Sequence, residues 1–159
     1  MLFMAFIAVA AQAQEKKLSP AETAKGVING AAITVNYSAP SVKGREIWGG
    51  LVPYGQVWRA GANEATTFET SKTIMVEGKE LPAGKYSFFI LPQKESAVII
   101  FNKVPAQWGA FKYDEKKDQL RVTVKPAKAK TNTEKLLYTF DANGLWIKWD
   151  SWDIPVSIK

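Results

Sequence analysis

The sequence predicts an all-β protein, namely a single antiparallel β-sandwich, or a partly closed barrel, of about eight or nine strands with one long ordered loop. Two observations support this fold class. Short segments of alternating apolar and polar residues recur along the chain, and turn residues separate them at roughly regular spacing. Helical periodicity is nearly absent, and no helix alternates with the strands as a parallel βαβ fold requires.

The first strands are predicted around an Asn-Gly turn. Ser19–Glu22 has the pattern of a helix start, with a capping serine, then a proline and a glutamate. Gly26 and the Asn29-Gly30 pair would interrupt such a helix, and Asn-Gly is a favoured hairpin turn. We therefore predict β-structure in this region, leading into an alternating strand at 33–37.

The middle of the chain contains four more predicted strands, at residues 66–70, 73–76, 85–91 and 96–102. Glu77-Gly78 and Leu81–Gly84 supply turns between them. The last of these segments is a continuous apolar run of strand length. Such a run is typical of a central strand that is buried on both faces.

The C-terminal third predicts the remaining strands, at residues 120–124, 136–140, 145–149 and 152–158. Asp141–Gly144 is a strong hairpin signal between the second and third of these. Alternation along the third strand places Trp149 on the core face. The last strand contains Pro155, which has no N–H for the ladder, so this strand is expected at an edge.

The composition excludes several classes of site. The chain has no cysteine and no histidine, so Cys-His and Ser-His-Asp catalysis and nearly every kind of catalytic zinc site are ruled out. We expect no cofactor and no metal. The net charge of +6 comes partly from lysines that are mixed with carboxylates, which indicates a solvated face and argues against nucleic acid as a partner.

Residues 1–13 are predicted to be a signal peptide, and residues 14–159 a single domain. The N-terminal run is apolar and ends in Ala11-Gln12-Ala13, the small-x-small pattern of a signal peptidase site, although it lacks a basic segment. It is too short to span a bilayer. We expect a periplasmic or secreted protein with no stable membrane insertion after cleavage.

The candidate site is the irregular loop at 40–64. Long irregular segments inside compact domains usually carry function or a demanding packing task. This loop concentrates charged, amide and aromatic side chains, namely Lys43, Arg45, Trp58, Arg59, Asn63 and Glu64. Arginine binds carboxylates and phosphates bidentately, and indoles stack on sugars and planar ligands. We predict a binding module for a sugar or an anionic small molecule, which the arginines hold, Asn63 and Glu64 orient, and Trp58 stacks on.

Gln107 and Trp108 are predicted to neighbour this site. Amides recognise hydroxyl groups, and indoles stack on pyranose faces, so the pair suits the rim of a sugar-binding site. The competing interpretation is that Trp108 caps one end of the sandwich.

Two other functions remain open from the sequence. In the first, the loop is a packing latch in which Arg45 or Arg59 pairs with Glu64, and the protein acts through an envelope protein partner. In the second, the protein is a hydrolase that uses Glu64 and another carboxylate. The candidate partners of Glu64 in such a hydrolase are Asp114, Asp118 and Glu69.

Two further motifs have simpler explanations. Ser41 and Lys43 have the spacing of a Ser–Lys dyad, but such a pair in a loop is usually incidental. Asp141–Gly144 has part of the pattern of a calcium loop, but the other ligand positions are missing. A hairpin turn explains it better.

Several motifs together resemble one family. They are Tyr37-x-x-Pro40-x-x-Lys43-Gly44-Arg45, the run from Leu51 to Thr66 with Trp58-Arg59-x-Gly61-Ala62-Asn63-Glu64, Leu81-Pro82-Ala83-Gly84-x-Tyr86-Ser87 and Gln107-Trp108-Gly109. The chain is similar to the domain-of-unknown-function family numbered 2911, whose proteins are exported, mostly from Bacteroidetes-type bacteria. The resemblance implies a single exported β-domain, and it implies no catalytic residue.

Overall fold

The structure, a computed structural model, describes residues 18–159. The signal peptide predicted at residues 1–13 and the predicted start of the mature chain lie outside the described residues. Ten strands and one three-residue 3-10 helix, Glu115–Lys117, make up the regular structure of this part. The strands are β1 (Ala21–Ile28), β2 (Ala31–Ser38), β3 (Thr66–Thr70), β4 (Ile74–Val76), β5 (Lys79–Leu81), β6 (Gly84–Pro92), β7 (Ala97–Asn102), β8 (Asp118–Val124), β9 (Ala127–Asp141) and β10 (Gly144–Ser157).

The strands form a sandwich of unequal layers. One antiparallel sheet contains six strands in the order β1-β2-β3-β6-β7-β8. The long β9–β10 hairpin packs on one face of this sheet, where Phe68, Phe88 and Phe101 of the sheet share a buried cluster with Leu136 and Trp149 of the hairpin. β4 and β5 form a third, small hairpin. The predicted all-β antiparallel sandwich is confirmed, and the sheets do not close into a barrel within residues 18–159.

The helix-like pattern at Ser19–Glu22 does not produce a helix. Ala21–Ile28 is strand β1, which pairs with β2 over its full length. Asn29 and Gly30 have φ values of 48° and 80° and form the two-residue turn of this hairpin. A capping pattern alone cannot stabilise a helix shorter than about three turns, whereas the β2 ladder satisfies every second N–H and C=O of β1.

Strand β10 joins the two segments predicted as separate strands at 145–149 and 152–158. The register with β9 shifts on both sides of Asp150, which has a φ of 50°. The extra residues at these shifts belong to β9, because Lys148 and Asp150 of β10 pair with Leu137 and Thr133 of β9. The left-handed backbone of Asp150 interrupts the extended conformation of β10, so Ile147 and Trp149 face the core before Asp150, and Ile154 and Val156 face it afterwards. Pro155 lies beyond Asp153, the last β10 residue that pairs with β9, as expected for an edge position.

The central strands β6 and β7 are covered on both faces, as predicted for the apolar run at 96–102. Phe88 and Ile99 face the β9–β10 hairpin, while Phe89 and Ile100 form a second buried cluster on the outer face of the sheet. Val57 and other residues of the loops at 53–65 and 104–113 cover this outer cluster.

Between residues 18 and 159, no helix has the length and apolar character needed to cross a membrane.

Candidate functional site

The long loop between β2 and β3 is tied to the sheet along β6. Trp58 N donates to Ile90 O at 2.8 Å, and Ile90 N donates back to Trp58 O at 3.0 Å. β3 begins at Thr66, opposite Phe88, so the loop occupies the position beside β6 that β3 leaves empty. Alternation then directs the side chain of Val57 to the outer face and that of Trp58 towards the β9–β10 hairpin.

A tight turn after Trp58 positions Arg59. Ala60 is fully buried with a φ of 58°, and its carbonyl accepts hydrogen bonds from Tyr138 Oη at 2.6 Å and from Thr66 Oγ1 at 2.9 Å. Burial raises the pKa of Tyr138, so its phenol stays a neutral donor. A side chain at Gly61 would lie 2.9 Å from the Ser38 carbonyl oxygen, which explains glycine there. The backbone on both sides of Arg59 is therefore fixed.

Four tryptophans form a single aromatic cluster under the loop. Trp58 stacks on Trp149 at a centroid distance of 5.6 Å, and Trp48 stacks on Trp152 at 4.4 Å. The edge of Trp48 also meets Trp58 at 5.7 Å. Trp48 Nε1 donates to the carbonyl of Trp149, and Trp149 Nε1 donates to that of Glu134. The loop and β10 thus share one rigid aromatic layer.

A cavity of about 400 Å³ lies on this layer, and we call it the cationic cavity. Its lining combines three cationic side chains with the apolar surface of Trp58 and Trp149, and no acidic residue among residues 18–159 belongs to it. The cationic residues are Lys43, Arg45 and Arg59. A concave, partly apolar site with a few convergent charges is typical of small-molecule binding.

Lys43 and Arg45 are held at the rim of the cationic cavity by the loop itself. Arg45 Nε donates to Val42 O at 3.0 Å, and its Nη2 donates to Ser41 O, so this guanidinium closes a turn of its own loop. Lys43 has a φ of 48°, and its backbone N donates to Glu134 Oε1 at 2.9 Å. Both cationic side chains remain exposed.

Arg59 differs from these two exposed cations because its guanidinium is half-buried. It makes no ion pair within residues 18–159, and its buried Nε has no hydrogen-bond partner there. Burial lowers the pKa of Arg59 from its ordinary value, which lies so far above neutrality that the group stays charged. An uncompensated, half-buried cation favours the binding of an anion.

The other predicted site residues lie elsewhere. Glu64, Gln107 and Trp108 line a different cavity of about 460 Å³ on the outer face of the six-stranded sheet, which we call the Trp108 cavity. Asn63 has a φ of 59° and precedes Glu64 in the chain. Its carbonyl accepts a hydrogen bond from Gly109 N, in the loop that contains Trp108. The loop therefore contributes its cations to one face of the sheet and its carboxylate to the other.

The ion pair assumed by the latch hypothesis is absent from residues 18–159. The salt bridges of this part are Arg121–Glu115, Arg121–Asp118 and Lys135–Glu22. The loop does take part in packing, since Ile47, Trp48, Val52 and Ala60 belong to the main core cluster. Its apolar side chains, and not an Arg–Glu64 pair, hold it to the sandwich.

The carboxylates do not converge in either cavity. Among residues 18–159, Glu64 is the only acidic residue that lines the Trp108 cavity. Asp118 accepts hydrogen bonds from Asn102, Tyr113 and Arg121. Burial, and next the hydrogen bond to Asp118, raise the pKa of Tyr113 to about 12. This network supports the loop after β7.

The chain's described portion also contains no group of three or more acidic side chains that could hold a metal ion. At the 141–144 turn, Asp141 Oδ1 accepts from the backbone N of Asn143 and of Gly144, and Oδ2 accepts from Trp146 Nε1. The Asp141 carboxylate therefore stabilises the hairpin turn.

Trp149 lines the cationic cavity, although its sequence pattern does not indicate a place at the site. The sequence predicts Trp149 in the core, and the structure confirms that it is buried, but its ring also forms part of the cavity wall. About ninety residues of chain separate it from Trp58. No local pattern indicates that these two rings stack, because only the docking of β10 on the sheet brings them together.

Comparison with known proteins agrees with the resemblance in the motifs. No curated protein and no solved structure shows significant similarity to this chain. The model of one family, described as protein of unknown function (DUF2911), matches residues 19–158, nearly the whole chain. The chain therefore belongs to the DUF2911 family.

Proposed function

We propose that the protein is a binding module for a small anionic molecule, which it holds in the cationic cavity. The observation that carries this proposal is the state of Arg59, a half-buried guanidinium without an ion pair or a partner for its Nε among residues 18–159. A carboxylate or phosphate group that accepts from this guanidinium would supply the missing charge.

The remaining lining residues support a ligand with an apolar or planar part. Lys43 and Arg45 add positive charge at the rim, where they attract an anion over a distance. Trp58 and Trp149 offer apolar ring surface beside the charges. A ligand that carries an anionic group on a ring would contact both kinds of surface.

Phenyl phosphate is a suitable probe because it has both features. We expect it to bind more tightly than inorganic phosphate, which lacks the ring, and than phenol, which lacks the charge. Arg59→Met should weaken phenyl phosphate binding about tenfold or more, since a hydrogen bond to a charged group contributes roughly 1.5–3 kcal/mol. Isothermal titration calorimetry at low ionic strength measures these affinities.

Lys79→Met is the matched control, because it removes one positive charge from an exposed position on β5, outside the cationic cavity. Its affinity for phenyl phosphate should stay within about twofold of the unmodified protein. If Arg59→Met lowered only the melting temperature and left the affinity unchanged, the cationic cavity would not be the binding site. Absence of binding for all three probes would count against this ligand class.

We further propose that the protein is exported and binds its ligand in the periplasm, because residues 1–13 have the features of a signal peptide. Expression of the full chain in bacteria, followed by osmotic-shock fractionation, should release a shortened protein that begins near Gln14. Retention of the full-length chain in the cytoplasmic fraction would contradict export.

A further inference from the structure

Trp108, which lines the Trp108 cavity, is the most exposed tryptophan among residues 18–159. The Trp108 ring is 60% exposed, and Phe111 in the same loop is 86% exposed. Large aromatic side chains at such exposure stabilise a fold little, because most of their surface stays in water. A second cavity of about 390 Å³, which Phe111 lines, also includes Trp108. The indole therefore contributes to two concave surfaces.

The backbone of Trp108 is nevertheless held firmly. Trp108 pairs with Glu64 in an antiparallel bridge. On one side of it, Ala65 N donates to Gln107 O at 2.9 Å, and on the other side Gly109 N donates to Asn63 O at 3.2 Å. The ring is thus presented to solvent from a fixed backbone, and little backbone entropy remains to be lost when a ligand stacks on it.

Gln107 anchors the loop at 104–113, and its amide nitrogen bonds to the protein itself. Gln107 Nε2 donates to Ser87 Oγ at 3.2 Å, to Asn102 Oδ1 at 3.2 Å and to Val104 O at 2.9 Å. These bonds tie the loop to β6 and β7. Gln107 is therefore a positioning residue for Trp108.

The polar groups around Trp108 differ in kind from those of the cationic cavity. Glu64 supplies a hydrogen-bond acceptor, Lys85 a donor, and Thr67 a hydroxyl that does both. The opposite charges of the carboxylate and the ammonium leave no net preference for an anion. This mixture matches the hydroxyl groups of a neutral sugar, whose rings also stack on indole faces.

We propose that the Trp108 cavity is a second binding site, specific for a neutral oligosaccharide. The Trp108 indole stacks on one pyranose ring, and Glu64, Thr67 and Lys85 bond to its hydroxyl groups. The site lies on the outer face of the six-stranded sheet, whereas the cationic cavity lies on the side of the β9–β10 hairpin. The two sites therefore bind their ligands independently, and this proposal does not rest on the anion-binding function.

NMR spectroscopy of the indole N–H groups provides a direct test, since the chain has six tryptophans and each gives one signal. Cellohexaose, xylohexaose and mannohexaose are titrated separately into the ¹⁵N-labelled protein. We expect at least one of them to shift the Trp108 signal, which is assigned from its loss in Trp108→Ala. Phenyl phosphate should instead shift the Trp58 signal and leave that of Trp108 in place.

Trp108→Ala should weaken oligosaccharide binding about tenfold or more, and Trp108→Phe should restore part of it. Trp146→Ala, which removes a half-buried indole of β10 outside this cavity, is the control and should bind as the unmodified protein does. The proposal is overturned if no oligosaccharide shifts the Trp108 signal, or if Trp108→Ala binds as tightly as the unmodified protein. Unfolding curves for Trp108→Ala should be unchanged, because the ring is mostly exposed.

Discussion

Trp149→Ala is expected to lower the free energy of unfolding by about 3–5 kcal/mol, as large-to-small substitutions of fully buried aromatic residues do. The ring is only 1% exposed and stacks on Trp58, and its Nε1 donates to the Glu134 carbonyl at 3.2 Å. Removal of the ring leaves a void in the aromatic cluster and removes one of the two hydrogen bonds that the Glu134 carbonyl accepts, the other coming from Val42 N. Urea unfolding followed by far-ultraviolet circular dichroism measures the loss.

The same substitution should reduce anion binding, because the ring forms part of the wall of the cationic cavity and supports Trp58. Trp146→Ala is the matched control on the same strand. Its indole is half-buried and donates to the exposed Asp141, so we expect a loss of about 1 kcal/mol or less. Equal destabilisation of the two variants would show that the tryptophan cluster does not hold the loop to β10.

Gly144→Ala is expected to destabilise the protein by about 3 kcal/mol or more, through two effects that act together. Gly144 has a φ of 144°, a conformation that residues with a side chain rarely adopt. An added Cβ would also clash with the Val156 carbonyl oxygen and lie 2.8 Å from Ile158 N. Both contacts are with backbone atoms, so the end of β10 must move to relieve them.

Gly78→Ala separates the strain of the backbone from the steric clash. Gly78 has a φ of 77°, and an added Cβ would meet no atom within 4 Å. We expect it to cost about 1 kcal/mol, from the backbone conformation alone. Thermal unfolding of the two variants provides the comparison. If Gly144→Ala were as stable as Gly78→Ala, the backbone at Val156 and Ile158 would not lie as close to Gly144 as the structure indicates.

Most of the strands that the sequence predicts correctly show alternation with one buried face. The segments at 33–37, 66–70 and 120–124 lie within β2, β3 and β8. The run at 96–102 is instead apolar throughout, and it closely matches β7. β9 was recognised only at 136–140, although it begins at Ala127. Its first half is rich in exposed lysine and threonine, so no apolar stripe marks it as a strand.

Asp150 illustrates a limit of the same reasoning. The sequence predicts separate strands at 145–149 and 152–158. Aspartate at a positive φ is compatible with a turn as well as with an irregularity inside a strand. Only the pairing of β10 with β9 on both sides of Asp150 shows that the chain does not reverse there.

For the candidate site, the order of amino acids is enough to show which chemical groups are concentrated in the loop at 40–64, and that the chain has no histidine or cysteine to act with them. How those groups are divided between the two cavities depends on long-range pairing. Because Trp58 pairs with β6 on one side of the turn at Ala60 and Glu64 pairs with Trp108 on the other, the arginines and Glu64 line cavities on opposite faces of the sheet. Side chains a few residues apart in an irregular loop have no fixed relative direction until long-range backbone pairing sets it, and that pairing depends on β6, β7 and β10, which lie far along the chain.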